Sequence, residues 1–321
     1  MRILATDPVP ALAHKAFAPL GEIELAAGLD AGALAGAELL IMRSGRMPAS
    51  LIERLPSLRV IARTGAGIDN VDMAAASRHG VAVLYAPGVG ARPVAEGTLA
   101  LMLAAAKQLG QLGALVREGR WAERYRFAGL DLLGATLGIV GLGSIGREVA
   151  RLAGGLGMNI LAHDPAPQTG LEQELPDVQL LQLPQLMARS DVVSLHCGLN
   201  DSTRGMIDAA LLAQAKPGAI LVNVARGGVI ESEQVLMEAL ERGQLSAIAL
   251  DVFSSEPPSP DSPLLRDPRV ICSPHSIGLT RIWNERVFTT LAAGAAAALR
   301  GERPDHIANP DVLPLLAGAS R

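Results

Sequence analysis

Short apolar runs alternate with longer amphipathic stretches along the first ninety residues of the chain. The runs read RILAT, EIEL, LLIMR, LRVIART and VAVLYA, and segments of helical length such as AHKAFAPL, PASLIERLP and DMAAASRHG separate them. Apolar runs of about four to eight residues are typical of buried strands. Their alternation with helices is typical of a parallel sheet covered by helices. The pattern therefore predicts an α/β array at the start of the chain.

A long helical stretch, residues 92–121, precedes a second array of the same kind. Pro93 suits the first turn of a helix, and the apolar spacing predicts one or two helices that bridge two lobes. The apolar runs that follow are TLGIVG (136–141), NILAHD (159–164), VVSLHC (192–197), AILVNVA (219–225), LSAIALDVF (245–253) and RVICSPH (269–275). RIWNERVFTTLAAGAAAALRGE then predicts a last helix. The chain is therefore predicted to be α/β with two parallel sheets, in keeping with two domains for 321 residues.

Composition and charge narrow the classes of function. The net charge is −4 and no block of Lys and Arg is longer than a few residues, so nothing favours binding to nucleic acid or to an anionic membrane. The longest apolar stretch, GTLALMLAAAK, is shorter than a bilayer requires. Cys197 and Cys272 lie far apart and outside any CxxC pattern. Their spacing predicts neither a disulfide framework nor a metal site and favours a reducing, cytoplasmic setting.

A glycine-rich turn indicates a bound dinucleotide. Gly141, Gly143 and Gly146 form a G-x-G-x-x-G between a predicted strand and a predicted amphipathic helix, and the next strand ends in Asp164. The first glycine allows the tight turn, the second lets a pyrophosphate approach the backbone, and the third lets the helix pack on the strand. The N-terminus of the helix offers N–H groups to phosphates. The apolar face of this helix is predicted to contain Val149, Leu152 and Leu156.

The acidic residue at the end of the next predicted strand selects the cofactor. Asp164 would accept hydrogen bonds from ribose hydroxyls and would repel a 2′-phosphate, which predicts NAD rather than NADP. The alternative for the whole motif is an ordinary strand–turn–helix without a ligand. The complete context of strand, turn, helix and acidic residue favours dinucleotide binding.

Titratable side chains follow three later predicted strands. Arg226 follows LVNVA, and Asp251 ends the next strand with Glu256 in the loop after it. His275 follows RVICSP. Ligands of open α/β sheets bind at the carboxyl ends of the strands, and hydride transfer needs an acid/base and a cation near the substrate oxygen. Taken singly, Arg226 suits a surface ion pair, Glu256 a solvated carboxylate and His275 a packing role. Their occurrence together favours a catalytic set.

The ordered motifs resemble one family along nearly the whole chain. The matching segments are RTGAGIDNVD (63–72), GRWAERYRFAGLDLLGATLGIVGLGSIGREVA (119–150), DSTRGMID (201–208), LVNVARGGVI (221–230), ALDVFSSEP (249–257) and SPHSIG (273–278). In this order they resemble the D-isomer-specific 2-hydroxyacid dehydrogenase family, nearest to its phosphoglycerate dehydrogenase and hydroxypyruvate/glyoxylate reductase branches. The resemblance implies two doubly wound parallel-sheet domains. A Rossmann NAD domain (95–283) would be inserted into a flavodoxin-like substrate domain (1–94 and 284–321).

The resemblance also implies roles for single residues. His275 would donate or accept the proton of the substrate oxygen, Glu256 would orient its ring, and Arg226 would hold the substrate carboxylate and polarise its carbonyl. The histidine would reach a cleft between the domains. The backbone N–H groups offered to the substrate carboxylate would be those of Gly65, Ala66 and Gly67. Contacts to NAD are implied, besides the three glycines, at Ser144, Ile145, Asp164, Thr203, Val224 and Asp251. A small 2-hydroxy or 2-keto acid as substrate and a homodimer are implied in the same way, and no metal is.

Several points stay open at the level of sequence. Many members of the family read H-x-P-L-T where this chain has His196 to Asn200, which leaves the geometry of that adenine-side loop undecided. We interpret His196 itself as structural. Arg43 and Arg92 would each bind a substrate phosphate or form a surface ion pair. Glu256 stands where the formate-oxidising branch has Gln and argues against formate oxidation. Two other functions are compatible with the same motifs: an NAD-sensing, corepressor-like protein without enzymatic activity, and a phosphite-type dehydrogenase.

Overall fold

Parallel strands alternate with helices through the part of the chain that the computed structural model describes, residues 1–166 and 169–318. The strands, in chain order, are β1 Ile3–Ala5, β2 Ile23–Leu25, β3 Leu39–Met42, β4 Val60–Arg63, β5 Ala82–Leu84, β6 Thr136–Val140, β7 Asn159–His163, β8 Gln179–Leu180, β9 Val192–Leu195, β10 Ala219–Asn223, β11 Leu245–Leu250 and β12 Val270–Cys272. The α-helices are α1 Ala11–Phe17, α2 Ala49–Ile52, α3 Met73–Arg78, α4 Ala91–Ala106, α5 Leu109–Arg117, α6 Ser144–Gly155, α7 Leu171–Glu174, α8 Leu183–Arg189, α9 Ala209–Leu212, α10 Glu233–Glu241, α11 Pro263–Arg266, α12 Arg281–Leu299 and α13 Leu313–Gly318. Short 3-10 helices span Trp121–Arg126, Gly227–Val229 and Pro310–Val312.

The chain divides into two units. The first contains Met1–Gly90 and the described residues from Leu279 onward, and the second contains Ala91–Gly278. The second unit is therefore inserted in the chain of the first. The boundaries lie a few residues before those predicted, 94/95 and 283/284, because each one precedes a whole helix. α4 begins at Ala91 and belongs entirely to the second unit, and α12 begins at Arg281 and belongs entirely to the first.

A five-stranded parallel sheet forms the centre of the first unit. Its order is β2-β1-β3-β4-β5, the flavodoxin-like order. Successive residues of a strand point to opposite faces of the sheet. Ile3 accordingly joins an apolar core with α1 and α12, whereas Leu4 joins a second core with α2 and α3. Burial on both faces explains why these strands read as continuous apolar runs.

The second unit contains a seven-stranded parallel sheet in the order β12-β11-β10-β9-β6-β7-β8. Counted from β6, this is the dinucleotide-binding order 3-2-1-4-5-6 with one further strand. The direction of strand order reverses between β6 and β9, and the carboxyl edge at this point is where ligands of such sheets bind. The predicted fold class, two doubly wound α/β sheets, is confirmed.

The bridging stretch predicted as one or two helices is two. α4 and α5 are bent by 60° at a short break. Gln108 stands in the break with φ of 52°, a left-handed conformation that a right-handed helix does not accommodate. Among the described residues, no single helix combines the length and the apolarity needed to cross a membrane. α4 and α5 reach both only when they are counted together.

The amphipathic helix after the glycine turn is α6, and its apolar face is shorter than predicted. Val149 is buried and Leu152 is half-buried. Leu156, predicted on the same face, is 40% exposed. That prediction is wrong because α6 ends at Gly155 and the chain turns away at Gly157, which has φ of 78°.

The side chain of Asn309 joins the chain after α12 to the first sheet. Its Oδ1 accepts a hydrogen bond from the N–H of Val83 (2.8 Å). Its Nδ2 donates to the carbonyl of Val81 (2.8 Å) and to the hydroxyl of Ser77 (3.2 Å). Asn309 is 7% exposed, so little water is available to replace these bonds. The segment that follows α12 is thereby fixed beside β5.

We predict that Asn309→Ala lowers the free energy of unfolding by about 2–4 kcal/mol, because each buried backbone group left unpaired costs about 1–3 kcal/mol. Urea-induced unfolding followed by circular dichroism measures the change. Asn159→Ala is the matched control, since it removes one exposed hydrogen bond to Gly134 (2.9 Å) and should cost less than about 1 kcal/mol. Equal losses in the two variants would contradict the assignment.

Candidate active site

The glycine turn after β6 leaves space where a phosphate group would approach the backbone. A Cβ placed on Gly143 would meet no atom within 4 Å, whereas one on Gly141 would lie 2.6 Å from the backbone nitrogen of Cys197. A Cβ on Gly146 would lie 2.2 Å from the carbonyl oxygen of Gly141. Gly141 and Gly146 are thus required by close packing of the protein itself, whereas the space beside Gly143 is open and leaves room for a phosphate next to the backbone.

The start of α6 suits an anion. Ser144 and Ile145 form its first turn, and its N-cap residue, Gly143, makes no side-chain capping hydrogen bond. The first N–H groups of a helix have no partner within the helix, and the helix dipole adds positive potential there. The turn therefore fits the pyrophosphate of a dinucleotide, as predicted from the spacing of the glycines.

Asp164 lies beside this turn, directly after β7. Its Oδ2 accepts a hydrogen bond from the N–H of Leu142 (2.7 Å), and its Oδ1 accepts one from Ala166 (2.8 Å). Each carboxylate oxygen can accept more than one hydrogen bond, so both remain able to accept from ribose hydroxyls. The fixed negative charge at this place disfavours a 2′-phosphate. These residues fit NAD.

Asn200 organises the loop that departs from the family's pattern. Its Oδ1 accepts hydrogen bonds from the N–H groups of Ser202 (2.9 Å) and Thr203 (3.1 Å). The hydroxyl of Thr203 donates to the carbonyl of Gly198 (2.7 Å) and accepts from the N–H of Asn200 (2.9 Å). Asn commonly forms such turns with its own side chain. The loop is therefore ordered in this chain without the proline and threonine, and Thr203 belongs to its frame.

His196 and Cys197, at the carboxyl end of β9, are not poised for chemistry. Burial lowers the pKa of His196 to about 3, so its ring is neutral, and its Nε2 lies 2.8 Å from the hydroxyl of Ser194. Burial raises the pKa of the Cys197 thiol to about 11, which keeps it protonated. The neutral ring and its contact with Ser194 agree with the interpretation of His196 as structural.

His275 and Glu256 meet at the carboxyl edge of the second sheet. They follow the neighbouring strands β12 and β11. The Nδ1 of His275 lies 2.8 Å from Oε2 of Glu256, and Oε1 of Glu256 accepts a hydrogen bond from the N–H of Phe253 (3.2 Å). The His275 side chain is 41% exposed, so the ring is held at one end and accessible to solvent. The structure thus brings together the predicted acid/base and the carboxylate predicted to orient it.

The charge of Glu256 determines how the ring is protonated. Partial burial alone would raise the pKa of Glu256. The hydrogen bond and charge of His275, the N–H of Phe253 and the charge of Arg226 together hold that pKa below its usual value. An ionised carboxylate only accepts hydrogen bonds, so its partner Nδ1 carries a proton. This assignment, which follows from the hydrogen-bond partner, leaves Nε2 as the nitrogen that gains or loses a proton.

Arg226 is placed by its neighbours after β10. Asn223, fully buried at the strand end, donates from Nδ2 to the carbonyl of Arg226 (3.0 Å) and accepts at Oδ1 from Ala225 (3.0 Å). A Cβ on Gly227 would lie 1.9 Å from the carbonyl carbon of Phe253. The turn that carries Arg226 therefore packs directly on the backbone that leads to Glu256. Val224, predicted to contact NAD, is buried in the same turn.

Asp251 holds the segment that carries His275. Its Oδ1 accepts hydrogen bonds from the hydroxyl of Ser273 (2.6 Å) and from the N–H groups of Ser276 (2.9 Å) and Ile277 (3.2 Å). Its carbonyl accepts the N–H of His275 (2.7 Å). A contact of Asp251 with NAD stays a prediction. The observed contacts show that its carboxylate binds the Ser273 side chain before the histidine and two backbone N–H groups after it.

In the first unit, Arg63 connects the two predicted substrate-binding turns. Its Nη2 and Nε donate to the carbonyl of Gly67 (3.0 and 3.2 Å), and its Nη1 donates to the carbonyls of Met42 and Arg43. Gly65 accepts the N–H of Ala86 (2.9 Å), and Ala66 is exposed between Gly65 and Gly67. Arg63 was not among the predicted site residues. An arginine at the end of an apolar run is unusual in a sequence, but which turns it binds depends on the fold.

Asp7 fixes the turn that carries Arg43. Its Oδ2 accepts hydrogen bonds from the hydroxyl of Thr6 (2.6 Å) and from the N–H groups of Arg43 and Ser44 (both 3.2 Å). Burial raises the pKa of Asp7, but these hydrogen bonds outweigh it and hold the pKa below the usual value. The Arg43 guanidinium lies over the ring of Trp283, 5.2 Å from its centroid. Asp7 was not among the predicted site residues either.

Arg92 belongs to an ion-pair network of the second unit. Its Nε lies 2.7 Å from Oε1 of Glu96, and its Nη1 lies 3.6 Å from Oε2 of Glu148. Of the two alternatives given by the sequence, this geometry is that of a surface ion pair.

Comparisons with known proteins agree with this geometry. Residues 99–276 match the family model described as D-isomer specific 2-hydroxyacid dehydrogenase, NAD binding domain. The D-3-phosphoglycerate dehydrogenase of Methanocaldococcus jannaschii is 39% identical over 319 residues, which cover 98% of this chain and 60% of that protein. The glyoxylate reductase of Korarchaeum cryptofilum is 37% identical over 278 residues, which cover 86% of this chain and 83% of that protein. The solved structure of the TT0316 protein from Thermus thermophilus has a TM-score of 0.86 at 35% identity and covers 96% of this chain and 100% of its own.

The chain spans only part of the length of some of these relatives. It spans between 49% and 60% of the length of the curated phosphoglycerate dehydrogenases that it matches. The matched family model, in contrast, includes the glycine turn, Asp164 and all three residues Arg226, Glu256 and His275. The chain belongs to the D-isomer specific 2-hydroxyacid dehydrogenase family, and its second unit contains the family's NAD-binding domain.

Proposed function

We propose that this protein catalyses the reversible, NAD-dependent interconversion of a small 2-hydroxy acid and the corresponding 2-keto acid. The observation that carries the proposal is the 2.8 Å pair of His275 and Glu256, placed with Arg226 at the carboxyl edge of a sheet that contains a complete dinucleotide-binding turn. Membership of the family supports the same reaction class. Relatives named D-3-phosphoglycerate dehydrogenase and glyoxylate reductase support an acid of the hydroxypyruvate, glyoxylate or 3-phosphoglycerate class.

The residues of the glycine turn hold the cofactor. The N–H groups of Ser144 and Ile145 bind its pyrophosphate, and Asp164 accepts hydrogen bonds from its ribose. NAD, when bound, accepts or supplies the hydride. Thr203, Val224 and Asp251 are proposed as further contacts, in keeping with their places at the carboxyl ends of β9, β10 and β11.

His275 moves the proton. In the direction of reduction its Nε2–H gives a proton to the keto oxygen of the substrate, and in the direction of oxidation the unprotonated Nε2 takes the proton of the hydroxyl group. Glu256 keeps Nδ1 protonated in both directions and stabilises the positive charge of the imidazolium. The ring therefore presents the same nitrogen to the substrate throughout.

Arg226 binds the carboxylate of the substrate. A guanidinium donates two parallel hydrogen bonds to a carboxylate and fixes its orientation, and its charge also polarises the neighbouring carbonyl. Arg43 and the backbone N–H groups of residues 65–67 are proposed as further substrate contacts. Arg63 and Asp7 hold the turns that carry them.

A homodimer in the cytoplasm is proposed as the working form. The observation in favour of a dimer is a group of exposed apolar side chains on α5 and in the 3-10 helix after it, namely Leu109, Val116, Trp121 and Tyr125. Large apolar side chains grouped on a surface are typical of protein interfaces. The observation in favour of a reducing compartment is the exposed, unpaired thiol of Cys272.

We predict that His275→Gln lowers kcat for reduction of the preferred keto acid by about 10²- to 10⁴-fold, the usual contribution of a general acid. NADH oxidation, followed by absorbance with glyoxylate, hydroxypyruvate, pyruvate and 3-phosphohydroxypyruvate, identifies the substrate and measures the loss. His14→Gln, at an exposed position of α1, is the control and should keep wild-type activity. Turnover that survives in His275→Gln would refute the assignment. NADH binding without turnover of any acid would favour a sensor or another donor.

We predict that Glu256→Gln moves the pH dependence of reduction toward acid. The lowered pKa of Glu256 keeps the carboxylate charged at neutral pH, and this charge favours the protonated ring that reduction requires. Without it, the pH above which kcat/KM for reduction declines should fall. Profiles of kcat/KM between pH 5 and 9 test this. Two superimposable profiles would show that Glu256 does not stabilise the charged ring.

We predict that Asp164→Ser lowers the preference for NADH over NADPH by at least about tenfold, which corresponds to about 1.4 kcal/mol. The physical reason is the loss of a negative charge that repels the 2′-phosphate. The ratio of kcat/KM for the two cofactors measures it. Asp131→Ser, which removes an exposed carboxylate paired with Lys107, should leave the ratio unchanged. The same change in both variants would assign the effect to net charge rather than to Asp164.

A further inference from the structure

Gly97 lies within α4, where glycine is less favourable to a helix than alanine. The surroundings explain its presence. A Cβ at this position would lie 2.1 Å from Cγ1 of Ile277 and 2.8 Å from its carbonyl oxygen. Distances below 3.0 Å require one of the groups to move. The side chain of Ile277 therefore occupies the space that any other residue at position 97 would fill.

Ile277 belongs to the segment that carries His275. Its N–H donates to both carboxylate oxygens of Asp251 (3.2 and 3.3 Å), and its side chain packs against the same apolar core as Val94 of α4. The next residue makes a second contact with α4, because a Cβ on Gly278 would lie 2.6 Å from Cγ2 of Val94. The segment is thus held by Asp251 through its backbone, and by α4 through the side chain of Ile277 and the close approach of Gly278.

The conformation of His275 depends on this support. Its φ is 50°, a left-handed conformation that costs free energy in residues other than glycine and persists only where the surroundings impose it. The N–H of His275 donates to the carbonyl of Asp251 (2.7 Å), and the next N–H donates to the Asp251 carboxylate (2.9 Å). A displacement of Ile277, two residues away, would act directly on this strained turn.

We propose that Gly97 is a positioning residue for His275, because the missing side chain lets Ile277 seat against α4 and so sets the place of the imidazole relative to Glu256. The proposal rests on the proposed function in one respect: it takes His275 as the proton donor. Gly97 itself touches neither of the two reacting side chains in this arrangement. Its effect passes through Ile277 and the backbone of residues 275–277.

The substitution Gly97→Ala distinguishes a positioning role from a purely structural one, because the first lowers kcat without lowering the melting temperature and the second lowers both. Alanine favours the helix more than glycine does. The melting temperature should therefore stay equal or rise if residues 275–277 can move to make room for the new Cβ. The segment must then move by on the order of 1 Å to accept the new Cβ, and a misplacement of that size costs about 100-fold in catalysis. KM for NADH should change little, because the glycine turn is not displaced.

Two further variants, Ile277→Ala alone and Ile277→Ala in the Gly97→Ala background, test whether Ile277 transmits the effect. Ile277→Ala in the Gly97→Ala background removes Cγ1, which meets the new Cβ at 2.1 Å, and leaves the carbonyl oxygen at 2.8 Å as the only atom closer than 3.0 Å. It should bring kcat to within about tenfold of that of Ile277→Ala alone. Gly154→Ala is the matched control. This position also lies in a helix of the second unit, and a Cβ there would meet no atom within 4 Å. It should leave kcat and the melting temperature at or above their wild-type values.

The first measurements are kcat for the preferred keto acid at saturating NADH and the melting temperature of each variant. A second readout, independent of turnover, is the proton NMR resonance of the His275 ring. The chain has six histidines, and the resonance lost in His275→Gln identifies it. The expected result for Gly97→Ala is a lower kcat, an unreduced melting temperature and a displaced ring resonance. The double variant should match Ile277→Ala alone in both kcat and the position of the resonance.

Three outcomes would overturn the proposal: wild-type kcat with an unmoved resonance in Gly97→Ala, a double variant whose kcat stays far below that of Ile277→Ala alone, or an equal loss in Gly154→Ala. If Gly97→Ala does not fold, Ile277→Ala alone decides, since it should fold and yet lower kcat and displace the resonance. If no acid is turned over by the wild type, the proposed reaction fails. The resonances then still show whether Gly97 positions the ring.

Discussion

At the carboxyl end of β11, the nearly buried carboxylate of Asp251 accepts hydrogen bonds from one hydroxyl and two backbone N–H groups of residues 273–277. A buried charge is costly unless several donors surround it, and a segment that leaves a strand must find new partners for its backbone. The N–H groups of Ser276 and Ile277 stabilise the buried carboxylate, and the carboxylate gives these N–H groups the acceptor that they lack outside the strand. The backbone of Asp251 also pairs with Asn223 on one side and His275 on the other. The position of His275 therefore depends on this one residue, which also joins β11 to the end of the strand that precedes Arg226.

The first unit uses a similar device with charges of both signs. Asp7 binds the N–H groups of the turn after β3, and Arg63 binds the carbonyls of that turn and of Gly67. A carboxylate supplies acceptors only and a guanidinium supplies donors only, so each one satisfies the backbone groups that the other cannot. The irregular turns at the carboxyl edge are in this way hydrogen-bonded by two charged side chains of the same unit.

How much of this could be predicted from sequence depends on the range of the interactions. The strands and the glycine turn are local patterns, and the residues after each strand could be named because parallel strands bring their carboxyl ends to one edge. The roles of Asn223, Asp7 and Arg63 could not be predicted, because each depends on which turn lies beside it in space. The same holds for Gly97, whose neighbour is 180 residues away in the chain. The bend at Gln108 had no local signal either, since neither glycine nor proline stands there.

The insertion of one unit within the other has a consequence for the order of folding on the ribosome. The second unit is continuous, so all of its sheet is available once residue 278 has left the exit tunnel. The five strands of the first unit emerge earlier, yet one face of their sheet is covered by Trp283, Val287 and Leu291 of α12. That apolar face stays exposed or loosely covered while the nearly two hundred residues of the second unit are synthesised. The first unit, whose strands are made before the second unit, is thus the last to complete its core, and its exposed apolar face is prone to aggregation until then.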